Sequence, residues 1–415
     1  MNYPKLLLVT AAAPPSGGSH AQRVVALVKH FKKSNYDIDV VIPRTDSINK
    51  ERSTLFKEME SMANIIEVDA GSVRKTANRL NSVKGRSSFL ARLIQKLRAF
   101  VRKNAIPDTF IFWVPKVIKS VNLSGKKYDT IVSSGAPFSS HVAAGLLSQK
   151  QGASLVLDYG DPWVYEPGRP RKGIRLKIER FIEQALLKSA SYVSFTTLET
   201  VELYREKYSS LPDNYHAHYM GYEPKEFDVS LLPSDDNKFQ IVYAGRVNEE
   251  YRKLDSLIEF LESIIKKGLL DKFVIIFYGS ELDSVSVSLS KFVKLGLVEI
   301  RSNLEHKDYI NTICNANSLI ILGNDSLIQI PGKVIHYLAS KKPILYFPNN
   351  INKDVDPAFK LIQKYLSAGY FYMDDSFEFD NYYNWIRKNS HVEYSTYNHL
   401  NDLSWDAVFN GLKVN

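Results

Sequence analysis

An arginine and a lysine that follow a short apolar run in the second half of the chain could together bind a diphosphate. The run 241–244 leads into Gly245-Arg246, and Lys253 then enters a segment with helical periodicity. Arginine binds phosphate as a planar fork and lysine as a point charge, so one of each beyond the end of a strand suits a pyrophosphate. The competing interpretation is two ordinary surface cations, which is the commoner fate of both residue types.

A second candidate anion site is the segment Pro331-Gly332-Lys333. It stands at the start of a helical pattern, between the apolar runs 318–323 and 343–348. A helix start offers free backbone N–H groups, and the ammonium adds positive charge. Open α/β sheets hold nucleotides at connections of this kind. Gly279, which closes another apolar run, is assigned to the same ligand-binding set.

The first half of the chain has glycine-rich and polar loops after its own apolar runs. Gly17 and Gly18 follow the first run, where glycine permits close backbone approach to a ligand. The loop matches neither a Walker loop nor a dinucleotide fingerprint, so ATP and nicotinamide chemistry are not supported. His141 falls near a predicted helix start and Asp161 just after a predicted strand. A lone histidine is often structural and Asp before proline is a good turn former, but their recurrence at successive strand ends favours a substrate-facing role.

Short apolar runs alternate with helical patterns along nearly the whole chain, which predicts βαβ units and mostly parallel sheets. In the first half the predicted strands cover 5–11, 37–43, 65–69, 128–135, 154–160, 192–197 and 216–220, and the predicted helices 19–33, 138–151, 173–188 and 198–208. In the second half the predicted strands cover 239–245, 273–279, 298–301, 318–323, 343–348 and 369–373, and the predicted helices 254–267, 307–317, 332–340 and 381–388. One more helix is predicted over 399–412.

A polar stretch over 223–238 interrupts the alternation and is typical of a linker between domains. With 415 residues, 44% of them apolar, the chain also exceeds what one hydrophobic core usually organises. We therefore predict an N-terminal domain over 1–222 and a C-terminal domain over 238–398. The predicted fold class is α/β, with two Rossmann-like, doubly wound domains that face each other across a cleft.

Composition limits the compartment and the partners. Cys314 is the one cysteine of the chain, so no disulfide can form within it, and a cytoplasmic location is predicted. No apolar run approaches the ~20 residues of a transmembrane helix, which favours a soluble protein or one that lies on a membrane face.

The formal net charge of +9 is unevenly spread, because the stretch from Arg74 to Lys103 holds basic residues and no acidic one. Apolar residues recur within this basic strip at helical spacing, which predicts one apolar and one cationic face. Two interpretations stay open, an ordinary solvated helix face and a surface that docks on anionic lipid. Nucleic acid is not a predicted partner, because no zinc spacing, helix-turn-helix or RNA-binding signature accompanies the charge.

The order of these motifs resembles the GT-B glycosyltransferases of family 4, which build bacterial surface polysaccharides and lipid-linked glycans. The resemblance covers nearly the whole chain. It is carried by Pro14-x-x-Gly17-Gly18, Ile106-Pro107-Asp108…Trp113, Gly135-x-Pro137-x-Ser139-x-His141, Asp158-x-x-Asp161-Pro162-Trp163, Gly221-Tyr222-Glu223, Gly245-Arg246…Lys253 and Ile330-Pro331-Gly332-Lys333…Tyr337-Leu338-Ala339…Pro343.

The resemblance implies a GT-B fold in which a nucleotide-sugar donor binds mainly to the second domain and a glycan or lipid-linked acceptor enters from the first. It implies a reaction that retains the anomeric configuration without a cofactor or metal, and a terminal segment 399–415 that packs back on the first domain. The residues it assigns to catalysis are Asp161, His141, Arg246 and Lys253. The residues it assigns to the donor are Gly17, Gly18, Gly245, Arg246, Lys253, Gly279, Pro331, Gly332, Lys333 and His336.

Two features depart from the family pattern. Many members carry a pair of glutamates around the donor helix, the second of which accepts hydrogen bonds from the ribose, whereas the matching positions here are Ile328 and His336. A neutral imidazole offers one acceptor where a carboxylate offers several, so the contact with the nucleotide is altered. The spacing from Arg246 to Lys253 is also longer than usual, which leaves Arg252 as an alternative phosphate ligand.

The sequence thus leads to one principal prediction and two alternatives. The principal one is a cytoplasmic transferase, peripheral on the inner face of the plasma membrane, that moves a hexose-type sugar from a nucleoside diphosphate by positioning and charge stabilisation. A sugar-nucleotide epimerase of the same architecture would act on the donor unaided. A catalytically silent binding or assembly protein is favoured by Ile328 and His336.

Overall fold

The computed structural model describes residues 3–15, 18–44, 53–70, 104–229, 238–247, 252–279, 282–349, 351–366, 368–374, 376–389 and 400–412. Gly17 and the basic strip from Arg74 to Lys103 lie outside these ranges. Within them, no helix combines the length and the apolar character needed to cross a membrane. The chain divides into an N-terminal unit, Met1–Tyr219 with Phe409–Asn415, and a C-terminal unit, Met220–Val408.

The N-terminal unit is built on a parallel sheet with the strand order β3-β2-β1-β4-β5-β6-β7. Its central strands are continuous apolar runs, as in Leu6 to Val9, because helices cover both faces of a parallel sheet and bury every side chain. The strands are β1 (Lys5–Thr10), β2 (Asp37–Pro43), β3 (Asn64–Val68), β4 (Thr130–Gly135), β5 (Ser154–Tyr159), β6 (Tyr192–Phe195) and β7 (Tyr215–Ala217). The helices are α1 (Ser19–Lys33), α2 (Thr54–Met62), α3 (Val114–Leu123), α4 (Ser139–Gln151), α5 (Gly173–Ser189) and α6 (Leu198–Lys207), with a 3-10 helix at Thr109–Phe112.

The C-terminal unit repeats the plan with the parallel order β10-β9-β8-β11-β12-β13. Its strands are β8 (Phe239–Ala244), β9 (Phe273–Tyr278), β10 (Val298–Arg301), β11 (Ser318–Leu322), β12 (Ile344–Phe347) and β13 (Tyr370–Tyr372). Its helices are α7 (Asp255–Lys266), α8 (Asp283–Ser288), α9 (Ser290–Lys294), α10 (His306–Asn315), α11 (Lys333–Ala339), α12 (Pro357–Tyr365), α13 (Phe379–Asn389) and α14 (Trp405–Phe409), with 3-10 helices at Pro224–Phe227, Leu270–Lys272 and Leu400–Leu403.

These two sheets confirm the predicted α/β class with two doubly wound parallel sheets. In each sheet the strand order reverses beside the first strand, between β1 and β4 and between β8 and β11. A crevice opens outside the carboxyl ends of the strands at such a reversal, and ligands of open α/β sheets bind there. The loops after β1 and β4, and those after β8 and β11, therefore border these two crevices.

The single helix predicted over 399–412 is wrong. The segment forms the 3-10 helix Leu400–Leu403 and the short helix α14, and Ser404 between them pairs in a β-bridge with Tyr222. The backbone N–H of Tyr222 donates to the carbonyl of Leu403 at 3.1 Å, and the N–H of Trp405 donates to the carbonyl of Tyr222 at 3.0 Å. This pairing with a remote part of the chain interrupts a run whose local periodicity alone favours a continuous helix.

Candidate functional site

Glycine lets three segments of the C-terminal unit approach closely where β8 and β9 end. Gly245 follows β8 with a φ of 135° and donates its N–H to the carbonyl of Tyr278 at 2.8 Å. A Cβ built on Gly279 would lie 2.5 Å from the carbonyl oxygen of Gly245, and a Cβ on Gly245 would lie 3.0 Å from Nζ of Lys333. A larger residue at Gly245 or Gly279 would therefore strain this region. The structure brings the sequence-predicted Gly245, Gly279 and Lys333 together.

Lys333 carries the most unusual charge in this region. Its Nζ lies 3.4 Å from the centre of the Tyr243 ring, a cation–π contact. Although the residue as a whole is only partly buried, Nζ is shielded from solvent and has no hydrogen-bond partner among the residues that the structure describes. Burial lowers the pKa of Lys333 well below its usual value, and the charge of Arg252 lowers it further. Nζ is thus a buried donor that lacks an acceptor.

Arg252 contacts the hydroxyl of the same tyrosine. Its guanidinium donates to Oδ1 of Asn324 at 3.0 Å, to the carbonyl of Arg246 at 2.9 Å and to the hydroxyl of Tyr243 at 3.4 Å. Tyr243 in turn donates to the carbonyl of Arg246 at 2.8 Å. Within the described ranges, neither Arg252 nor Lys333 is paired with a carboxylate. We refer to Lys333 and Arg252 as the cationic pair.

Helix α11 fixes Lys333 relative to the sheet. Tyr337, one turn farther along, accepts the N–H of Ala244 at 3.0 Å through its hydroxyl, which ties α11 to the end of β8. Gly332 occupies the cap position with helical dihedrals, and the carbonyl of the buried Pro331 accepts the N–H of Val334. The predicted Pro331 and Gly332 therefore deliver Lys333 to the carboxyl end of β8.

His336 lies on the same helix in an aromatic environment. Its Nδ1 is 3.3 Å from the hydroxyl oxygen of Tyr309, and its ring contacts the rings of Phe227 and His306. Burial, with a smaller contribution from His306, lowers the pKa of His336 to about 3. The imidazole is therefore neutral at physiological pH. Nε2 of His306 lies 2.9 Å from Oε2 of Glu226.

The side chains of Arg246 and Lys253 are exposed. Their assignment to a diphosphate stays a prediction, and Arg246 contributes its backbone carbonyl to the site. Arg252, which the sequence offered as an alternative, is the arginine whose guanidinium donates to the hydroxyl of Tyr243. Spacing from the strand end identified the segment, but the choice among its three cations depends on contacts with residues remote in sequence.

In the N-terminal unit, His141 is buried at the start of α4. Its Nδ1 lies 2.6 Å from Oγ of Ser133, and its Nε2 lacks a hydrogen-bond partner in the described part of the chain. A Cβ on Gly135 would lie 2.9 Å from that Nε2. Burial lowers the pKa of His141 to about 3, although Asp158 acts in the opposite direction, so the ring is neutral.

The N-terminal unit also contains a buried ion pair that the sequence did not reveal. Nη2 of Arg23 donates to Oδ1 of Asp158 at 2.6 Å, and both side chains are inaccessible to solvent. Asp158 also accepts the hydroxyls of Ser134 and Ser194, at 2.7 and 2.5 Å. Burial alone would raise the pKa of Asp158, but Arg23 and these hydrogen bonds hold it well below its usual range. The pair therefore neutralises its own charge inside the unit.

The remaining predicted residues of this unit lie at strand ends. Asp161 is exposed directly after β5, and its assignment to the acceptor or sugar stays a prediction. Gly18 occupies the cap position of α1 with a φ of 99°, a conformation that favours glycine. Gly17, beside it, lies outside the described ranges.

No family model and no curated protein matches this sequence. The chain is nevertheless similar in structure to sucrose-phosphate synthase from Thermosynechococcus elongatus, with a TM-score of 0.62, 14% identity, and coverage of 99% of this chain and 97% of that one. It is similar to Anabaena HepE in complex with UDP and glucose, with a TM-score of 0.62, 12% identity, and coverage of 99% and 98%. A glycosyltransferase from Rickettsia africae gives a TM-score of 0.59, 12% identity, and coverage of 99% and 97%. At such low identities the likeness establishes the fold, and the fold of this chain is GT-B.

Proposed function

We propose that the protein is a glycosyltransferase that binds a nucleotide-sugar donor through its C-terminal unit. The observation that carries the proposal is the buried Nζ of Lys333, which has no hydrogen-bond partner within the described residues and lies near the charge of Arg252. A buried cation is costly to leave unpaired, and the pyrophosphate of a donor supplies the missing negative charge. UDP in the HepE structure of the same fold supports a nucleoside diphosphate as the ligand class.

The two members of the cationic pair have complementary roles in this reaction. As the bond between the anomeric carbon and the diphosphate oxygen breaks, negative charge develops on the leaving group. Lys333 opposes that charge in its ammonium form, which the bound diphosphate favours, and Arg252 does so as a fork held by Asn324 and the carbonyl of Arg246. Donors that are already oriented stabilise such charge without reorganisation during the reaction. The exposed Arg246 and Lys253 contact the same diphosphate once it is bound.

The acceptor side of the proposal rests on the N-terminal unit. His141 is neutral and its Nε2 is free to exchange a hydrogen bond with a hydroxyl, so it orients the sugar or the acceptor rather than supplying charge. Asp161, exposed at the next strand end, handles the acceptor hydroxyl. Gly17 and Gly18 allow the donor to approach the first loop.

The resemblance to family 4 supports the finer features of the proposal. These are retention of the anomeric configuration, catalysis without a resident cofactor or metal, and a glycan or lipid-linked acceptor in bacterial surface polysaccharide synthesis. The composition supports a cytoplasmic enzyme, and the charge of the basic strip from Arg74 to Lys103 supports peripheral attachment to an anionic membrane. EDTA treatment is expected to leave turnover unchanged, and loss of activity that Mg²⁺ or Mn²⁺ restores would contradict metal independence.

A thermal-shift screen against UDP, GDP and ADP sugars tests donor binding first. A ligand at 100 times its dissociation constant stabilises the folded state by about 2.7 kcal/mol, so the correct donor raises the melting temperature. Release of nucleoside diphosphate with an acceptor then establishes transfer.

The variant Arg246→Ala is expected to lose most turnover while staying folded, and full activity would remove Arg246 from the diphosphate site.

Two experimental outcomes would replace the transferase assignment with one of the alternative functions. Conversion of the donor sugar in the absence of any acceptor would establish the epimerase. Donor binding without diphosphate release under any acceptor would establish the silent binding protein that Ile328 and His336 favour. If no nucleotide sugar raises the melting temperature of the protein, the assignment of a donor site to the C-terminal unit is wrong.

A further inference from the structure

Helix α5 of the N-terminal unit packs on the core through Leu186 and Leu187 and also carries an apolar stripe on its outward side. Ile174, Ile178 and Phe181 are 73%, 40% and 74% exposed, whereas Glu179 and Glu183 are fully buried. The three apolar residues follow one another at helical spacings of four and three, so they lie on one face. Surface helices of globular proteins normally turn such a stripe toward the core. The outward stripe is therefore left uncovered among the residues that the structure describes, which makes it a candidate contact surface.

Buried hydrogen bonds fix this orientation of the helix. Glu183 accepts the hydroxyls of Tyr204 and Tyr208, both at 2.7 Å. Glu179 accepts Nε1 of Trp163 at 2.8 Å and Nε of Arg171 at 3.1 Å. Rotating α5 to hide its apolar stripe would break this network and expose or orphan two carboxylates. The exposure of the stripe is thus built into the packing.

The exposed charged residues of α5 are all basic. Lys177, Arg180 and Lys188 are exposed, and the two acidic residues of the helix are the buried glutamates. Leu146 of the neighbouring helix α4 adds a further exposed apolar side chain. An apolar stripe flanked by cations and lacking exposed acids has the chemistry of a helix that lies in a membrane interface.

We propose that the outer face of α5 docks on an anionic lipid bilayer. The side chains of Ile174, Ile178 and Phe181 enter the boundary between headgroups and acyl chains, and Lys177 and Lys188 lie beside lipid phosphates. Association of two copies through this face is disfavoured, because a two-fold contact would bring the same cations together. The inference rests only on the membrane attachment proposed above, to which it adds a surface distinct from the basic strip, and is independent of the donor site.

Vesicle co-sedimentation of the full chain tests this surface. We expect binding to vesicles of phosphatidylcholine with phosphatidylglycerol, weak binding to phosphatidylcholine alone, and a decrease with salt. The double variant I174S/F181S should reduce binding at least tenfold. V287S is the matched control, because Val287 of α8 is 75% exposed on the other unit and should be dispensable. K177Q/K188Q should weaken binding to anionic vesicles and reduce its dependence on salt.

Three results would overturn the proposal. One is failure of the unmodified protein to bind anionic vesicles. Another is retention of full binding by I174S/F181S, which would assign attachment to a different surface. The third is a dimer in solution that I174S/F181S converts to a monomer, which would make the face an interface between copies. Unchanged melting temperature and nucleotide affinity in I174S/F181S would show that the fold and the donor site are intact, so that the two proposals fail independently.

Discussion

The two units treat buried charge in opposite ways. In the N-terminal unit, Arg23 is paired with Asp158, and the buried Glu179 and Glu183 accept hydrogen bonds from arginine, tryptophan and tyrosine donors. In the C-terminal unit, Nζ of Lys333 is buried without an acceptor among the described residues. Both units have the same doubly wound architecture, so the fold does not impose this difference.

We interpret the Arg23–Asp158 pair as a charge pair that stabilises its own unit. Under the proposed function, Lys333 is instead a group that a bound anion would pair. A buried pair with further hydrogen bonds satisfies itself, and removing one partner leaves the other stranded. A buried cation without a counterion instead lowers the stability of the unliganded protein and raises affinity for an incoming anion. Removing the charge of Arg23 should therefore lower the free energy of unfolding of the unliganded protein, whereas removing the charge of Lys333 should raise it.

The largest effect is expected for Arg23→Met. It leaves Asp158 buried with no cation, and breaking a buried pair in this way costs about 3–5 kcal/mol. Urea unfolding monitored by circular dichroism should show this loss in the free energy of unfolding. The double variant Arg23→Met/Asp158→Leu should recover part of it, because no charge is then stranded. A loss below about 1 kcal/mol for Arg23→Met would show that the pair is not structural.

Glu183→Gln should change how stability depends on pH. Burial raises the pKa of Glu183 from 4.5 to about 7, against the opposing hydrogen bonds of Tyr208 and Tyr204. The folded state therefore keeps a proton that the unfolded chain releases, so this contribution is full below pH 4.5 and is lost as pH rises through about 7.

The shift corresponds to on the order of 3 kcal/mol between the two limits. Urea unfolding at pH 5 and pH 8 should show a smaller decrease for Glu183→Gln than for the unmodified protein. Glu202→Gln is the control, because Glu202 is exposed on α6. Equal decreases in all three proteins would contradict the assignment.

Lys333→Met should stabilise the unliganded protein. The substitution keeps an unbranched side chain beside the Tyr243 ring but removes the desolvated amino group that contacts the ring. A gain of about 1 kcal/mol is expected, with the sign opposite to that of Arg23→Met. Differential scanning fluorimetry without ligand measures it. A clear loss of stability would mean that Lys333 is satisfied in the folded protein.

The smallest effect is expected for His336→Gln. The amide keeps a neutral hydrogen-bonding group at the position where many members of the family that the sequence resembles carry a carboxylate. One neutral hydrogen bond contributes about 1 kcal/mol, so nucleotide affinity should change by roughly fivefold. Calorimetric titration with the nucleoside alone and with its diphosphate separates this contribution from that of the cationic pair. An effect confined to the diphosphate would place His336 outside the nucleoside contact.

Most of the fold could be predicted because strands buried on both faces are unbroken apolar runs. The helices α2, α3, α8, α9 and α12 have at most a few turns of periodicity each and were not predicted. At the candidate site, Gly245, Gly279 and Lys333 were predicted from their place after strands and before a helix, and the structure brings them together. The Arg23–Asp158 pair was not found, because its partners are 135 residues apart and no local pattern joins them. The position of Arg252 likewise depends on Asn324, a residue of a different loop.

Isothermal titration of UDP, GDP and ADP into the unmodified protein and Lys333→Met tests the central claim most directly. We expect one diphosphate to bind the unmodified protein and to bind Lys333→Met about 100-fold more weakly, a difference of about 2.8 kcal/mol. Lys266→Met, which replaces an exposed lysine of α7, should bind like the unmodified protein. Equal affinity in Lys333→Met, or no binding of any nucleoside diphosphate to the unmodified protein, would contradict the account.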